Sequence, residues 1–114
     1  MDWPHHLLTG MAGGPILVQH GRLHRNQRDE GFHDPGIFRS ARRTAVGTTR
    51  AGKLVLLATN ESIGLRTWSR VMLDAGLTEA LNLDGGMSAG LYGCGKYRVR
   101  PGRRLTSFLV VVPR

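Results

Sequence analysis

Glycine constrains the fold of this chain more than any other residue type, because it occupies sixteen of the 114 positions. Five prolines accompany it, and the aromatic residues are only three phenylalanines, two tryptophans and two tyrosines. Glycine and proline favour tight turns and interrupt helices, so the composition predicts short strands rather than a helical bundle. A chain of this length can bury one hydrophobic core, and we therefore expect a single domain.

Hydrophobic patterning predicts where the strands lie, because apolar and β-branched runs bounded by turn residues are typical of sheets. The run Leu54–Ala58 is apolar throughout, which is typical of a central strand covered on both faces. A similar run ends the segment 105–112 and predicts a buried final strand. The predicted strands are two within residues 15–24, joined at His20-Gly21, and one in each of the segments 44–49, 53–59, 79–83, 91–92, 96–100 and 105–112.

One segment has the periodicity of a helix. Leu65, Trp68, Met72 and Ala75 recur at spacings of three and four, and Gly76 follows them, which predicts one amphipathic helix over residues 65–76. Together with the strands, this predicts the α+β class, a mostly antiparallel mixed sheet with one main helix packed on it. Residues 1–12 have no periodicity and are expected to form an irregular arm before a domain over residues 13–114.

The charge is strongly positive. The net charge is +8, and all but two of the sixteen cationic side chains are arginine. The planar guanidinium matches phosphate and carboxylate oxygens, so the expected partner class is an anionic ligand or polymer.

The sequence disfavours disulfide-bonded, metal-binding, membrane-spanning and secreted proteins. Cys94 is the only cysteine, which excludes an intramolecular disulfide and a cysteine-based zinc site, and the five histidines do not favour a metal site, so we expect no metal or other cofactor. No apolar run approaches the roughly 20 residues that span a bilayer. The N-terminus lacks the features of a signal peptide, so the sequence by itself predicts a cytoplasmic protein.

The stretch from Ala80 to Ser88 carries the most chemical information. Asn82 and Asp84 alternate with leucines, so on a strand the two polar side chains share one face. Gly85 and Gly86 then allow a sharp turn and close approach of a ligand, where backbone amides and the Ser88 hydroxyl would form a nest for anionic oxygens. An ordinary hairpin turn is the alternative, because Asp-Gly is a common turn dipeptide.

Two motifs resemble the phosphodiester glycosidase family. The segment 43–47, Arg-Thr-Ala-Val-Gly, precedes a hairpin, a helix and then Leu-Asn-Leu-Asp-Gly-Gly at 81–86, in the order typical of that family. Residues 14–18, 29–32 and 105–112 also follow the family's order, so the resemblance covers roughly residues 13–113. It implies a hydrolase that releases a sugar from a glycosyl-1-phosphodiester, with a phosphorylated sugar or polysaccharide, for example of a bacterial surface, as substrate.

The sequence also departs from the family pattern. Residues 1–12 contain no equivalent of an Asn-Gly-Gly-Phe-like segment that family domains usually carry, so we expect the chain to be the C-terminal part of such a domain or a minimal version of it. Met87-Ser88-Ala89 replaces the usual further glycine and hydroxyl pair, which predicts weaker anion binding. Family members are often exported, so an incomplete N-terminus would change the predicted compartment.

The resemblance suggests roles for individual residues. Asp84 is expected to serve as the carboxylate near the anomeric carbon, and Arg43, beside Thr44, as the clamp on the phosphate. The alternative is that Arg43 and Asp84 form an ion pair between two strand ends. Glu30 and Glu61 are candidates for a second carboxylate, or else solvated loop charges.

The remaining predicted substrate-binding residues come from the second motif. Asn82 would hydrogen-bond a sugar hydroxyl or orient the carboxylate, and Gly85, Gly86 and Ser88 would line the anion site.

Two other functions stay open from the sequence. A catalytically inactive module for anionic sugars would use the same cleft, and a nucleic-acid binder would use the net charge, although a basic helix and an aromatic RNA-binding signature are both missing, so nucleic acid is the least favoured partner. Assembly into a homo-oligomer also stays open.

Overall fold

The computed structural model describes residues 13–24, 39–105 and 109–112, and they form two antiparallel sheets and one α-helix. The α+β class predicted from the sequence is confirmed. The expected arm at residues 1–12 and the candidate Glu30 lie outside the described residues. The elements are β1 (Ile16–Gln19), β2 (Arg22–Leu23), β3 (Arg43–Thr49), β4 (Leu54–Ala58), α1 (Leu65–Asp74), β5 (Leu77–Gly85), a short 3-10 helix (Gly86–Ser88), β6 (Leu91–Gly93) and β7 (Lys96–Val99).

The main sheet has the order β2-β1-β5-β3-β4, and every neighbouring pair is antiparallel. β6 and β7 form a separate two-stranded sheet. β5, the longest strand, has β1 on one side and β3 on the other, so the two sequence motifs lie on adjacent strands.

The prediction that Leu54–Ala58 forms a central strand is wrong for the described part of the chain, where β4 lies at the edge of the sheet. Leu54 is 53% exposed, and the other four residues are only half-buried. A continuous apolar run predicts a strand but does not identify its position in the sheet, since this depends on which distant segments pair with it.

Two hairpins close with turns of two residues that both have positive φ. His20 and Gly21 have φ angles of 53° and 73°, and Cys94 and Gly95 have 55° and 82°. This backbone matches the twist of antiparallel strands, which is why a glycine occupies the second position of each turn. The predicted hairpin at His20-Gly21 is confirmed, with Gln19 opposite Arg22.

The helix packs on one face of the main sheet. Its predicted apolar stripe is confirmed at Leu65, Trp68 and Met72, whereas Ala75 follows the last helical residue and is exposed. Trp68 and Met72 are at most 1% exposed and belong to a core that includes Leu17 and Ala45. The amide of Gly76, which has a φ of 86°, donates to the carbonyl of Leu73 as the helix ends.

The two faces of β4 can be assigned from this core. Val55 and Leu57 pack against the helix side, so Leu56 lies on the opposite face of the sheet.

The predicted buried strand over residues 105–112 is wrong for the part that is described. Residues 109–112 have no strand structure, and Val110, Val111 and Val112 are 60%, 60% and 70% exposed. A strand requires a hydrogen-bonding neighbour, and these four residues pair with none of the described strands. The β-branched composition indicated extended backbone but not the partner that burial requires.

Candidate functional site

The two motifs meet where β3 begins and β5 ends. Arg43 lies opposite Gly85, and Ala45 lies opposite Asn82, with an irregularity in register between the two pairs. The Thr44 hydroxyl donates a 2.6 Å hydrogen bond to the backbone carbonyl of Asp84. The structure therefore brings together residues that are about forty positions apart in sequence.

Asp84 is exposed at this end of the sheet. Its backbone is held by Thr44, whereas its carboxylate has no ion pair or hydrogen bond to any residue of the described ranges. A fixed backbone with an open carboxylate is an arrangement that can present negative charge to a ligand.

The two glycines after Asp84 have different structural roles. A Cβ at Gly85 would lie 2.8 Å from the carbonyl oxygen of Arg42, so this close approach of two strands requires glycine. Gly86 has a φ of 61°, and its amide donates to the same Arg42 carbonyl at 2.8 Å. Because that amide is already bonded, Gly86 contributes to the turn by its backbone conformation.

Arg43 is almost completely buried, at 3% exposure. Its Nε donates to the carbonyl of Ile63 at 3.0 Å, and its Nη2 donates to the carbonyl of Arg39. Burial removes water from the guanidinium and lowers the pKa of Arg43. The side chain therefore holds two backbone segments beside the end of the sheet through charge-assisted hydrogen bonds.

Glu61 lies in the segment that returns from β4 to this same end. The amide of Thr59 donates to the carbonyl of Arg43, and the amide of Arg43 donates to the Thr59 hydroxyl, both at 2.9 Å. Two residues after Glu61, Ile63 forms a bridge with Ala41. Glu61 itself is exposed, as Asp84 is, and its segment returns to the end of the sheet where Asp84 lies.

Asn82 lies on the side of β5 that faces the core, opposite Ala45, and is 6% exposed. Its Oδ1 is buried without a hydrogen-bond partner in the described structure. Its burial therefore differs from that of Asp84, two residues further along. A buried acceptor without a donor costs free energy, and Trp68 Nε1 and Ser69 Oγ are also buried without a partner in the described structure.

The 3-10 helix that ends at Ser88, in the turn after Asp84, is hydrogen-bonded to the segment that follows β7. The Ser88 hydroxyl accepts from Arg103 Nε at 2.7 Å, and the amide of Gly102 donates to the carbonyl of Met87 at 2.8 Å. These bonds place the turn after Asp84 against a basic segment.

Arg42 was not predicted from the sequence as a site residue. Its Nη2 donates to the carbonyls of Ala89 and Arg100, at 3.0 and 2.5 Å, and so links the start of β3 to the segments that flank the second sheet. A signal was present in the adjacent pair Arg42-Arg43 at the start of β3, because neighbouring residues of extended backbone point to opposite faces. The two arginine side chains of such a pair therefore lie on opposite faces of the sheet.

Within the described ranges, no three histidine, cysteine or acidic side chains lie close enough to hold a metal ion. No helix formed by the described residues has the length and apolarity that a membrane crossing requires.

A family model and one solved structure point to the same family. The family model for phosphodiester glycosidases matches residues 3–112. A hypothetical protein from Synechocystis is 32% identical, with a TM-score of 0.72 over 81% of this chain. The catalytic domain of zebrafish N-acetylglucosamine-1-phosphodiester alpha-N-acetylglucosaminidase, auto-inhibited by pro-peptide, is 23% identical, with a TM-score of 0.61 over 80% of this chain.

This chain spans only part of those two structures, 18% of the Synechocystis chain and 36% of the zebrafish chain. No curated protein matches it.

Proposed function

Because this chain belongs to the phosphodiester glycosidase family, we propose that it is a hydrolase-type domain that releases a sugar from a glycosyl-1-phosphodiester. The sugar class follows from the similarity to the zebrafish enzyme, whose name specifies an N-acetylglucosamine-1-phosphodiester. The bond that breaks joins the anomeric carbon to a phosphate oxygen. Water supplies a hydroxyl group to the anomeric carbon and a proton, and the departing product is a phosphate monoester.

The proposed chemistry requires charges of both signs. Positive charge develops on the anomeric carbon as the phosphate departs, so a carboxylate near the sugar lowers the barrier. Cations near the phosphate stabilise the negative charge that it carries away. Phosphate is a good leaving group, so a strong general acid is not required.

The observation that supports this proposal best is the exposed Asp84, fixed by the Thr44 hydroxyl on the strand that begins with Arg43. In the proposal, Asp84 acts at the anomeric carbon as a base, nucleophile or electrostatic stabiliser. Glu61 is the second carboxylate at the same end of the sheet. Its distance from the reacting atom would decide whether it activates water.

The remaining residues position the substrate in this proposal. Arg43 supplies a buried positive charge at the end of the sheet and holds the neighbouring loop in place. Gly85 and Gly86 allow the turn to approach the substrate, and Ser88 contributes a hydroxyl. Asn82 offers the buried acceptor to a sugar hydroxyl or amide.

A second candidate is binding of an anionic sugar without turnover. It is favoured by the burial of Arg43, because two of its guanidinium nitrogens already donate to backbone carbonyls and are not directed at a phosphate. The same exposed end of the sheet would then recognise the ligand without catalysis.

One experiment separates the two candidates. The protein is incubated with the methyl diester of N-acetylglucosamine 1-phosphate, and free N-acetylglucosamine is measured by chromatography. Calorimetry on the same sample measures binding. Product formation supports the hydrolase, binding without product supports the binding module, and the absence of both contradicts the proposed function.

A further inference from the structure

The side chain of Arg42 lies at the open end of the hairpin that β6 and β7 form. Its Nη2 donates to the carbonyls of Ala89, at 3.0 Å, and of Arg100, at 2.5 Å. Ala89 lies two residues before β6, Arg100 directly follows β7, and Leu91 pairs with Val99 at this end of the hairpin. One guanidinium nitrogen therefore joins both chain segments that flank the second sheet to the residue that precedes β3.

The backbone of Arg42 contacts the turn formed by residues 85–89. Its carbonyl oxygen accepts a 2.8 Å hydrogen bond from the amide of Gly86, the first residue of the 3-10 helix, and a Cβ at Gly85 would lie 2.8 Å from the same oxygen. Ala89, which the side chain contacts, directly follows the 3-10 helix and is completely buried. Arg42 therefore holds this turn at both ends, by its carbonyl before the 3-10 helix and by its guanidinium after it.

The guanidinium of Arg42 leaves one donor unsatisfied. Its Nε is buried and has no hydrogen-bond partner in the described structure. A buried donor without an acceptor costs free energy, and an unbranched apolar side chain would avoid that cost. The conformation of Arg42 is thus set by the two carbonyls that Nη2 contacts. These contacts are charge-assisted, so they hold a backbone segment more firmly than neutral hydrogen bonds do.

The location of the Asp84 carboxylate depends on the backbone around it. The carboxylate has no ion pair or hydrogen bond to any residue of the described ranges, so no described side chain fixes it directly. Thr44 donates to the carbonyl of Asp84 at 2.6 Å, and two residues later the amide of Gly86 donates to the carbonyl of Arg42. The backbone is therefore held on both sides of the carboxylate. A displacement of a reacting group by about 1 Å can lower a rate roughly hundredfold, so this support matters for the proposed reaction.

We propose that Arg42 is a positioning residue for the Asp84 carboxylate. Its carbonyl and its guanidinium hold the turn of residues 85–89 in one conformation, and that turn fixes the end of β5 from which the carboxylate projects. Arg42 acts through this backbone and does not touch the sugar or the phosphate. The inference rests on the proposed function, which assigns Asp84 to the anomeric carbon, whereas the hold on the turn is measurable without catalysis.

Hydrogen exchange of backbone amides tests the hold on the turn. Arg42→Met keeps an unbranched side chain and removes the guanidinium, while the carbonyl of residue 42 stays in place. We expect the amides of Gly86 and Gly102 to exchange about tenfold faster in this variant, because the turn and the segment bonded to it open more often. The amide of Trp68, which donates to the carbonyl of Gly64 at the start of α1, should exchange at the wild-type rate.

Arg98→Met is the matched control. The Nε of Arg98 also donates to a backbone carbonyl, that of Gly93, at 3.3 Å, next to the closed end of the hairpin, and the side chain is exposed. Its replacement removes the same charge and a bond of the same type, and the exchange of Gly86 and Gly102 should not change. Arg42→Lys retains the charge but replaces the planar guanidinium by one ammonium group, so it should give intermediate rates.

Kinetics show whether the hold on the turn serves the reaction. With the methyl diester of N-acetylglucosamine 1-phosphate, we expect kcat of Arg42→Met to fall about tenfold and KM to change less than about threefold, because Arg42 does not contact the diester. Asp84→Asn already removes the group that Arg42 positions, so adding Arg42→Met to it should lower product release no further. A residue that only stabilises the fold would lower product release in both backgrounds.

Three results would overturn the assignment. Equal acceleration of Gly86 and Trp68 exchange would indicate a general loss of stability, and an unchanged kcat with a raised KM would indicate direct contact with the substrate. A further loss on adding Arg42→Met to Asp84→Asn would show that Arg42 acts independently of that carboxylate. A wild-type protein that neither hydrolyses nor binds the methyl diester contradicts the proposed function instead, and the exchange rates of Arg42→Met then decide by themselves whether Arg42 holds the turn.

Discussion

The hydroxyl of Thr44 donates a 2.6 Å hydrogen bond to the backbone carbonyl of Asp84, across the junction of β3 and β5. The bond lies beside an irregularity in strand register, where the regular ladder between the two strands is interrupted. One side chain thereby fixes the strand end that presents the exposed carboxylate.

Replacement of Thr44 by valine should loosen this strand end, because it removes the hydroxyl while keeping the branched shape. We expect a loss of about 1 kcal/mol in the free energy of unfolding, since a partly buried carbonyl loses its donor. Urea denaturation measures this loss, and Thr44→Ser, which keeps the hydroxyl, should recover most of it. Equal stability of the valine and serine variants would show that the hydrogen bond contributes little.

Asp84→Asn tests the proposed catalytic carboxylate. The side chain is exposed and has no partner within the described ranges, so the folding free energy should change by less than about 0.5 kcal/mol. Release of N-acetylglucosamine should fall by about a hundredfold or more, because the negative charge at the anomeric carbon is lost.

Asp74→Asn is the matched control, since Asp74 is an exposed carboxylate at the end of the helix, paired with Arg70. It should leave turnover unchanged. Undiminished product release by Asp84→Asn would remove Asp84 from the mechanism.

Gly85→Ala should destabilise the protein. The added methyl group would lie 2.8 Å from the Arg42 carbonyl oxygen, and a backbone atom cannot move aside as a flexible side chain does. We expect a loss of about 1–3 kcal/mol, measured by thermal or urea unfolding. Gly93→Ala, where nothing lies within 4 Å of the new methyl group, should be close to neutral. A stable Gly85→Ala variant would indicate that the two strand ends separate easily.

Arg43→Lys should destabilise the end of the sheet although it preserves the charge. Lysine lacks the planar fork that donates to the carbonyls of Ile63 and Arg39 at once, and the expected loss is about 1–3 kcal/mol. Arg66→Lys, on the exposed face of the helix, is the control and should have no effect on unfolding. The two lysine variants would have similar stabilities if the Arg43 fork were unimportant.

Arg43 should add no pH dependence to stability near neutral pH. Burial lowers the pKa of Arg43 in the folded protein below its value in the unfolded chain. Between these two pKa values the unfolded chain binds more protons than the folded one, so the free energy of unfolding rises with pH in that interval. An arginine keeps its proton at neutral pH in both states, so this interval lies at strongly alkaline pH. Unfolding measured at several neutral pH values should give the same difference between wild type and Arg43→Lys.

Asn82→Leu distinguishes a ligand-binding amide from a structural one. The buried Oδ1 has no donor within the described residues, so an apolar side chain of similar size should leave stability unchanged or raise it by about 1 kcal/mol. If the acceptor serves a sugar, affinity for the methyl diester should fall about tenfold in the same variant, as measured by calorimetry. A large loss of stability with unchanged affinity would assign Asn82 to the core instead.

The sequence determined those features that depend on neighbouring residues. The helix stripe at Leu65, Trp68 and Met72 and the turn at His20-Gly21 follow from local periodicity and backbone preference, and both were predicted correctly. The α+β class and the family followed from the order of such elements and from two short motifs. Local sequence patterns suffice for the helix, the turn and the motifs because each pattern involves residues only a few positions apart.

Only the tertiary structure decided which segments became neighbours and which side chains were covered. It placed β4 at an edge, left Val110 to Val112 exposed, buried the guanidinium of Arg43 against backbone carbonyls, and attached the turn of Ser88 to Arg103. These outcomes depend on pairings between residues that are distant in sequence, and one apolar run or one arginine can satisfy several such pairings. The native pairing is the one that all contacts of the fold favour together, so it cannot be identified from any single segment of the sequence.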